Sequence, residues 1–266
     1  MSELVRSLSL YDVIFSGYGY TVGADIFALI PYIARTGKQF TWLAFLIGGI
    51  IVLATALSYA RLNLEYPSND AEFTWIRESF KVPEEEVKDE TDRTRNKFVD
   101  IFATVVIWAV MVMGVTMNSV MVVSINRFLK RYNINIPDIV LNFLIVLVPF
   151  AFNLLDAKNL SKSNIIVTIL TTIILVMIPA FAFKKSPHLS DVHISKNDFN
   201  KDSILNLIRA IGITILPYNG YQSVVQMSEE VKDTDDVPRG MMISGTLTIL
   251  AYCSLAVAVI AILGLA

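Results

Sequence analysis

The chain has a single cysteine, Cys253, set in an apolar run, so it can form neither a disulfide framework nor a thiolate metal site of its own. It also lacks a basic excess. Net charge is −2 at pH 7, and nucleic acid is not expected as a partner. Catalytic signatures are missing: there is no G-x-S-x-G, no H-E-x-x-H, and no cysteine–histidine pair able to meet at depth. Neither an enzyme nor a cofactor is expected. The N-terminus, MSELVRSLSL, holds one arginine and no small-residue cleavage site behind an apolar core. No cleaved signal peptide is read there, and the first hydrophobic segment is expected to serve as the internal signal.

What the chain has is apolar length. Apolar residues make up 54% of it and mean hydropathy is +0.57, against about 45–50% apolar in a soluble domain. A lipid bilayer is therefore its expected surroundings, with the plasma membrane as location. A helix needs about 20 mostly apolar residues to cross the hydrocarbon. Seven segments qualify: Leu10 to Ile33, Phe40 to Leu64, Phe98 to Ile125, Ile136 to Leu155, Asn164 to Phe183, Ser203 to Ser228 and Gly240 to Ala266. The longest polar connection, Glu65 to Lys97, contains PEEEVKDETDRTRNK and reads as a solvated loop with a surface helix. A second, Lys184 to Asp202, contains His188, Asp191 and His193 at a spacing that matches no standard metal site. No metal is expected. Lysines and arginines of the loops lean slightly toward an inside N-terminus.

Two of the seven segments are set up to break. The first contains Gly17, Gly19 and Gly23 in GYGYTVGADIF; the sixth contains Pro217, Asn219 and Gly220 in LPYNGY. Proline removes a helix hydrogen bond and clashes with the preceding turn, and glycine loosens what remains. In lipid, backbone that is not helical survives only where it is buried or lines a cavity. Interruptions at corresponding places in two halves point to a transporter site, and the first and sixth spans are five apart, as two inverted five-helix repeats require. The glycines also resemble a dinucleotide loop, but no carboxylate stands about 20 positions after Gly23, where WLAFLIGG is found.

These stretches resemble the amino acid–polyamine–organocation (APC) superfamily. GYGYTVGADIF resembles its first-helix signature, roughly G-x-G-x-x-x-G-[SA]-G-[IV]-F. WLAFLIGGIIVLATALSYARLNLEYPSNDAEF resembles the second helix and following turn, FNLLDAKNLSKSN the link between helices four and five, and PYNGYQSVVQMSEEVKDTDDVPRGM the sixth helix and its exit. The resemblance covers nearly the whole chain in the right order. It implies an all-α polytopic membrane protein with a partial LeuT-like inverted-repeat fold. Residues 1–186 would form the first repeat, with the charged loop 65–97, and residues 187–266 the start of the second.

The resemblance further implies an amino acid permease that alternates access around helices one and six. A zwitterionic amino acid would lie between the breaks, with a proton or sodium as coupling ion. Half-helix N-termini suit a carboxylate and half-helix C-termini an ammonium. By position, Gly23, Ala24 and Asp25 would offer N–H groups to the carboxylate. Thr21, Leu216 and Asn219 would offer carbonyls to the amine, Gly220 would keep the second break flexible, and Tyr218 would gate the substrate.

The chain also departs from the pattern. It ends after the seventh helix where the family has ten or more, which reads as a fragment, part of a split protein, or a degenerate relative. Asp25 stands where the family has a glycine. At ~4 Å in a partly dry site a carboxylate there would repel a substrate carboxylate by a few kcal/mol. Asp25 thus reads in three ways: it binds a cationic amino acid, polyamine or proton; it caps a helix; or it marks a site that no longer binds. Gln222 replaces an acid common in helix six, Thr171 aligns with a lysine of proton-coupled relatives, and Arg61 and Asp70-Ala71 alter the edge of helix two. A non-transporting scaffold, regulator or solute sensor is the alternative reading.

Overall fold

The computed structural model describes residues 6–23, 25–134, 136–154, 157–184, 188–195 and 198–264. The described residues are helical throughout, apart from turns and one isolated parallel bridge between Leu8 and Val231. The first span is broken as its glycines predict: α1 covers Leu10–Thr21 and α2 covers Asp25–Gly37. Asp12 fastens the start of α1, accepting the Ser9 N–H at 2.9 Å and the Ser9 hydroxyl at 2.7 Å. After a 3₁₀ turn whose first residue, Lys38, has φ +48°, the chain enters α3 (Thr41–Glu65), the second span.

The charged loop does carry a short helix, α4 (Ala71–Phe80), but one face of it is buried rather than solvated. Trp75 is packed edge-on to Tyr59 and donates its indole N–H to the Tyr66 carbonyl at 2.9 Å. The third span is longer than its apolar run. Helix α5 extends over Glu90–Arg131 because Asp89 caps it, accepting the N–H groups of Thr91 and Asp92. Asp100 pairs with Arg77 at 2.9 Å and Lys81 at 2.7 Å, which fixes α4 against α5 at the polar edge of the span. The fourth and fifth spans are α6 (Asp138–Asn153) and α7 (Ala157–Lys184).

The sixth span breaks where its proline and glycine predict. Helix α8 (Lys201–Thr214), capped by Asn200, gives way to a 3₁₀ turn, Leu216–Tyr218, and then to a 3₁₀ helix over Tyr221–Glu230. Ten residues is long for a 3₁₀ helix. Its far end is strapped to the N-terminal segment: the N–H groups of Ser7 and Leu8 donate to the Glu230 carbonyl, and that of Lys232 donates to the Leu8 carbonyl, at 2.9–3.0 Å. Helix α9 (Asp236–Leu263) is the hub and packs on α1, α3 and α7.

Among the described residues, four helical runs are long and apolar enough to cross a bilayer: Asp25–Glu65, Glu90–Thr116, Lys162–Lys184 and Asp236–Ile262. The other expected spans also fold as helix, but α6 is short and α1 and α8 are halves of broken helices.

Candidate functional site

The two breaks meet backbone to backbone. Gly220 has φ +125°, a conformation that only glycine adopts without strain. A Cβ on it would collide with the Tyr20 carbonyl and lie 2.9 Å from the Thr21 Cα. No other residue type can occupy this contact, so a glycine in the sixth helix is what lets the first approach.

A tyrosine from α9 then joins them. The Tyr252 hydroxyl lies 2.9 Å from the Thr21 carbonyl and 3.0 Å from the Pro217 carbonyl, and the side chain is wholly buried. Each break therefore presents one main-chain carbonyl to the same point. Below that point, Tyr218 packs against Phe45 and Tyr252 and donates its hydroxyl to the Phe45 carbonyl at 2.8 Å. Helix α3 comes close enough because Gly49 has no side chain, a Cβ there lying 2.9 Å from the Tyr218 hydroxyl. Thr214, at the end of α8, reaches the Ala44 carbonyl at 3.3 Å across Gly48. In a bilayer, helices associate through such close approaches and hydrogen bonds, since lipid is as apolar as leucine.

The expected binding residues are largely engaged by the chain itself. The Thr21 carbonyl accepts the Gly23 N–H at 3.0 Å as well as the Tyr252 hydroxyl, and the Thr21 hydroxyl turns back onto the Gly17 carbonyl. Gly23 thus spends its N–H within the break. Ala24 lies outside the described residues. Asp25 is half-buried in the first turn of α2, and its carboxylate accepts the N–H of Ile26 at 2.9 Å, at the positive end of that helix. No ion pair to Asp25 occurs among the described residues.

On the other break, the Leu216 carbonyl accepts the Asn219 N–H at 3.1 Å, and the Leu216 side chain is exposed. Pro217, expected from sequence to break the helix but not to line the site, supplies the carbonyl that faces Tyr252. The Gln222 side chain accepts the Gly220 N–H at 2.9 Å, closing the start of the second half-helix. Thr171 lies on α7 and donates to the Val167 carbonyl within its own helix.

Behind the breaks, between α3 and α9, remains a void of about 10 Å³ bordered by Thr21, Tyr218 and Thr248. That is room for one water at most. An open cleft of about 430 Å³ lies against α2 instead, lined by Phe27, Ser124, Phe128 and Ile178. Tyr252 was missed in the sequence because a tyrosine in ILAYCSLAVAV looks like packing. The signal was available: a tyrosine buried in an apolar helix still needs a partner for its hydroxyl.

A polytopic helical membrane protein whose first and sixth spans unwind against each other is the class that this architecture defines. The chain belongs to the Amino acid permease family, whose profile matches residues 8–266. It is 27% identical to the inner membrane transport protein YbaT of Escherichia coli, over 94% of this chain and 55% of that protein. It is 22% identical to an uncharacterized transporter of Mycobacterium tuberculosis, over 98% of this chain and 54% of that one. Similarity also extends to cationic amino acid transporter 8, vacuolar, of Arabidopsis thaliana, at 23% over 95% of this chain and 42% of the relative. The chain spans about half the length of the curated relatives it matches. It is an integral, multi-pass membrane protein.

Proposed function

We propose that this chain holds the substrate-bearing elements of a secondary carrier for amino acids or closely related amines. One observation carries the reading: a carbonyl from each broken helix converges within 3.0 Å of a single hydrogen-bond donor. Two converging carbonyls at a pair of helix breaks are what a primary ammonium needs, and the N-terminal end of α2 beside them suits an anion. The inverted-repeat arrangement, residues 1–186 followed by the start of a second unit from 187, accounts for two breaks five spans apart. Because the breaks are in contact, substrate enters by separating them, which is the movement that alternating access supplies.

Purified protein in proteoliposomes tests this. Saturable uptake of radiolabelled L-alanine or L-arginine is the expected result, with sodium and proton gradients imposed in turn to identify the coupling ion. Uptake no greater than in empty liposomes overturns carriage. Thermal stabilisation by the same amino acids without uptake would make the protein a sensor.

A further inference from the structure

We infer that the Tyr252 hydroxyl is a stand-in for the ammonium of the substrate: it occupies the carbonyl of Thr21 when the site is empty and must leave when an amine arrives. This rests on the carrier reading above and adds a residue on α9 that sets affinity.

The geometry is that of competition. A hydroxyl has one hydrogen, and Tyr252 faces two carbonyls, Thr21 at 2.9 Å and Pro217 at 3.0 Å. It can donate to only one at a time. The Thr21 carbonyl has a second partner already, the Gly23 N–H at 3.0 Å, so neither of its lone pairs is open to a third donor. An incoming ammonium, with three N–H donors, can serve both breaks at once where the hydroxyl serves one. The exchange is therefore favourable for a primary amine and impossible for one without N–H groups.

Tyr252 is also placed to yield. Its ring meets Phe45 edge-on, at 5.8 Å, and Tyr218 at a tilt, at 5.1 Å, contacts that let the ring draw back from both carbonyls as the breaks separate. Tyr218 offers the contrast: its hydroxyl, buried alike, donates to Phe45 on unbroken α3, where no substrate competes.

The test compares Tyr252→Phe with Tyr218→Phe in the full chain, by isothermal titration with L-alanine, L-arginine and cadaverine. Losing the competing hydroxyl should tighten the best of these probes by about three- to tenfold in Tyr252→Phe, the range of one buried hydrogen bond. Tyr218→Phe, which removes a hydroxyl that competes with no substrate group, should not tighten it. The trimethylammonium analogue of that probe should gain nothing from Tyr252→Phe. Weaker or equal binding by Tyr252→Phe, with wild type still binding, makes Tyr252 a structural strut and overturns the stand-in alone. If no probe binds either protein, the carrier reading falls and takes this inference with it. Should Tyr252→Phe fail to fold, Tyr252→Trp serves instead: its indole N–H keeps a donor in the packed ring site, and affinity equal to wild type is expected, while a gain would overturn the inference.

Discussion

The membrane-spanning windows of helices α5 and α9 are similarly apolar, yet 11% of the first is buried and 44% of the second. Hydropathy decides that both enter the bilayer; it does not decide what each touches there. The difference lies in small and hydroxyl residues. Helix α9 presents Gly240 to Val13, Ser244 to Gly17 and Ala256 to the core, and neighbours come to within van der Waals contact. Helix α5 shows Phe98, Trp108 and Val115 outward, and a Cβ on Gly114 would meet nothing within 4 Å. One helix is packed by what it omits, the other is left open by what it carries.

The largest effect that would break this contrast is at the meeting of the breaks. Gly220→Val forces a branched side chain into a positive-φ site already filled by the Tyr20 carbonyl. It should cost more than about 3 kcal/mol and abolish uptake, read by thermal melting in detergent and by proteoliposome assay. Next is a matched pair. Gly49→Leu, pushed against Tyr218 and Ile249, should cost about 1–3 kcal/mol of stability. Gly114→Leu on the open helix should stay within about 0.5 kcal/mol. Equal costs for the two would show that packing does not separate the regions.

Asp25 gives a smaller and chemical effect. L-Arginine and agmatine differ by one carboxylate, and Asp25 already holds the N–H of Ile26. Asp25→Asn removes a negative charge that attracts the cationic groups of both ligands and repels the carboxylate that only L-arginine carries. The ratio of agmatine to L-arginine affinity should fall by about tenfold in competition binding, one charge contact at partial screening. The smallest effect is expected where Asp100 joins α5 to α4. Asp100→Asn cuts two half-exposed ion pairs, to Arg77 and Lys81. Its cost should be no more than about 1 kcal/mol and should vanish in high salt, read as faster hydrogen exchange in α4.

Much of this was legible from residue types alone. The seven helical segments and both interruptions follow from apolar run length and from Gly23, Pro217 and Gly220. Their meeting did not: that Gly220 rests on Tyr20 is a contact across 200 residues, and nothing in LPYNGY encodes it. The length of α5 was underestimated because a cap at Asp89 extends the helix into charged sequence that hydropathy discards. Of the candidate site, Thr21 and Gly220 lie at the point of contact. Leu216 points away, and Pro217 takes the place expected for its carbonyl. Single-residue backbone geometry of this sort is decided by tertiary contacts, which a linear motif does not record.

The strap between Leu8 and Val231 has a mechanical consequence. Helix α1 runs from that strap to the first break, and the 3₁₀ helix Tyr221–Glu230 runs from the second break back to the strap. The two are hydrogen-bonded at the strap and only in contact at the breaks. If the breaks part, the strap is the end that stays joined, and the pair opens like a hinge whose pin lies at Leu8 and Val231.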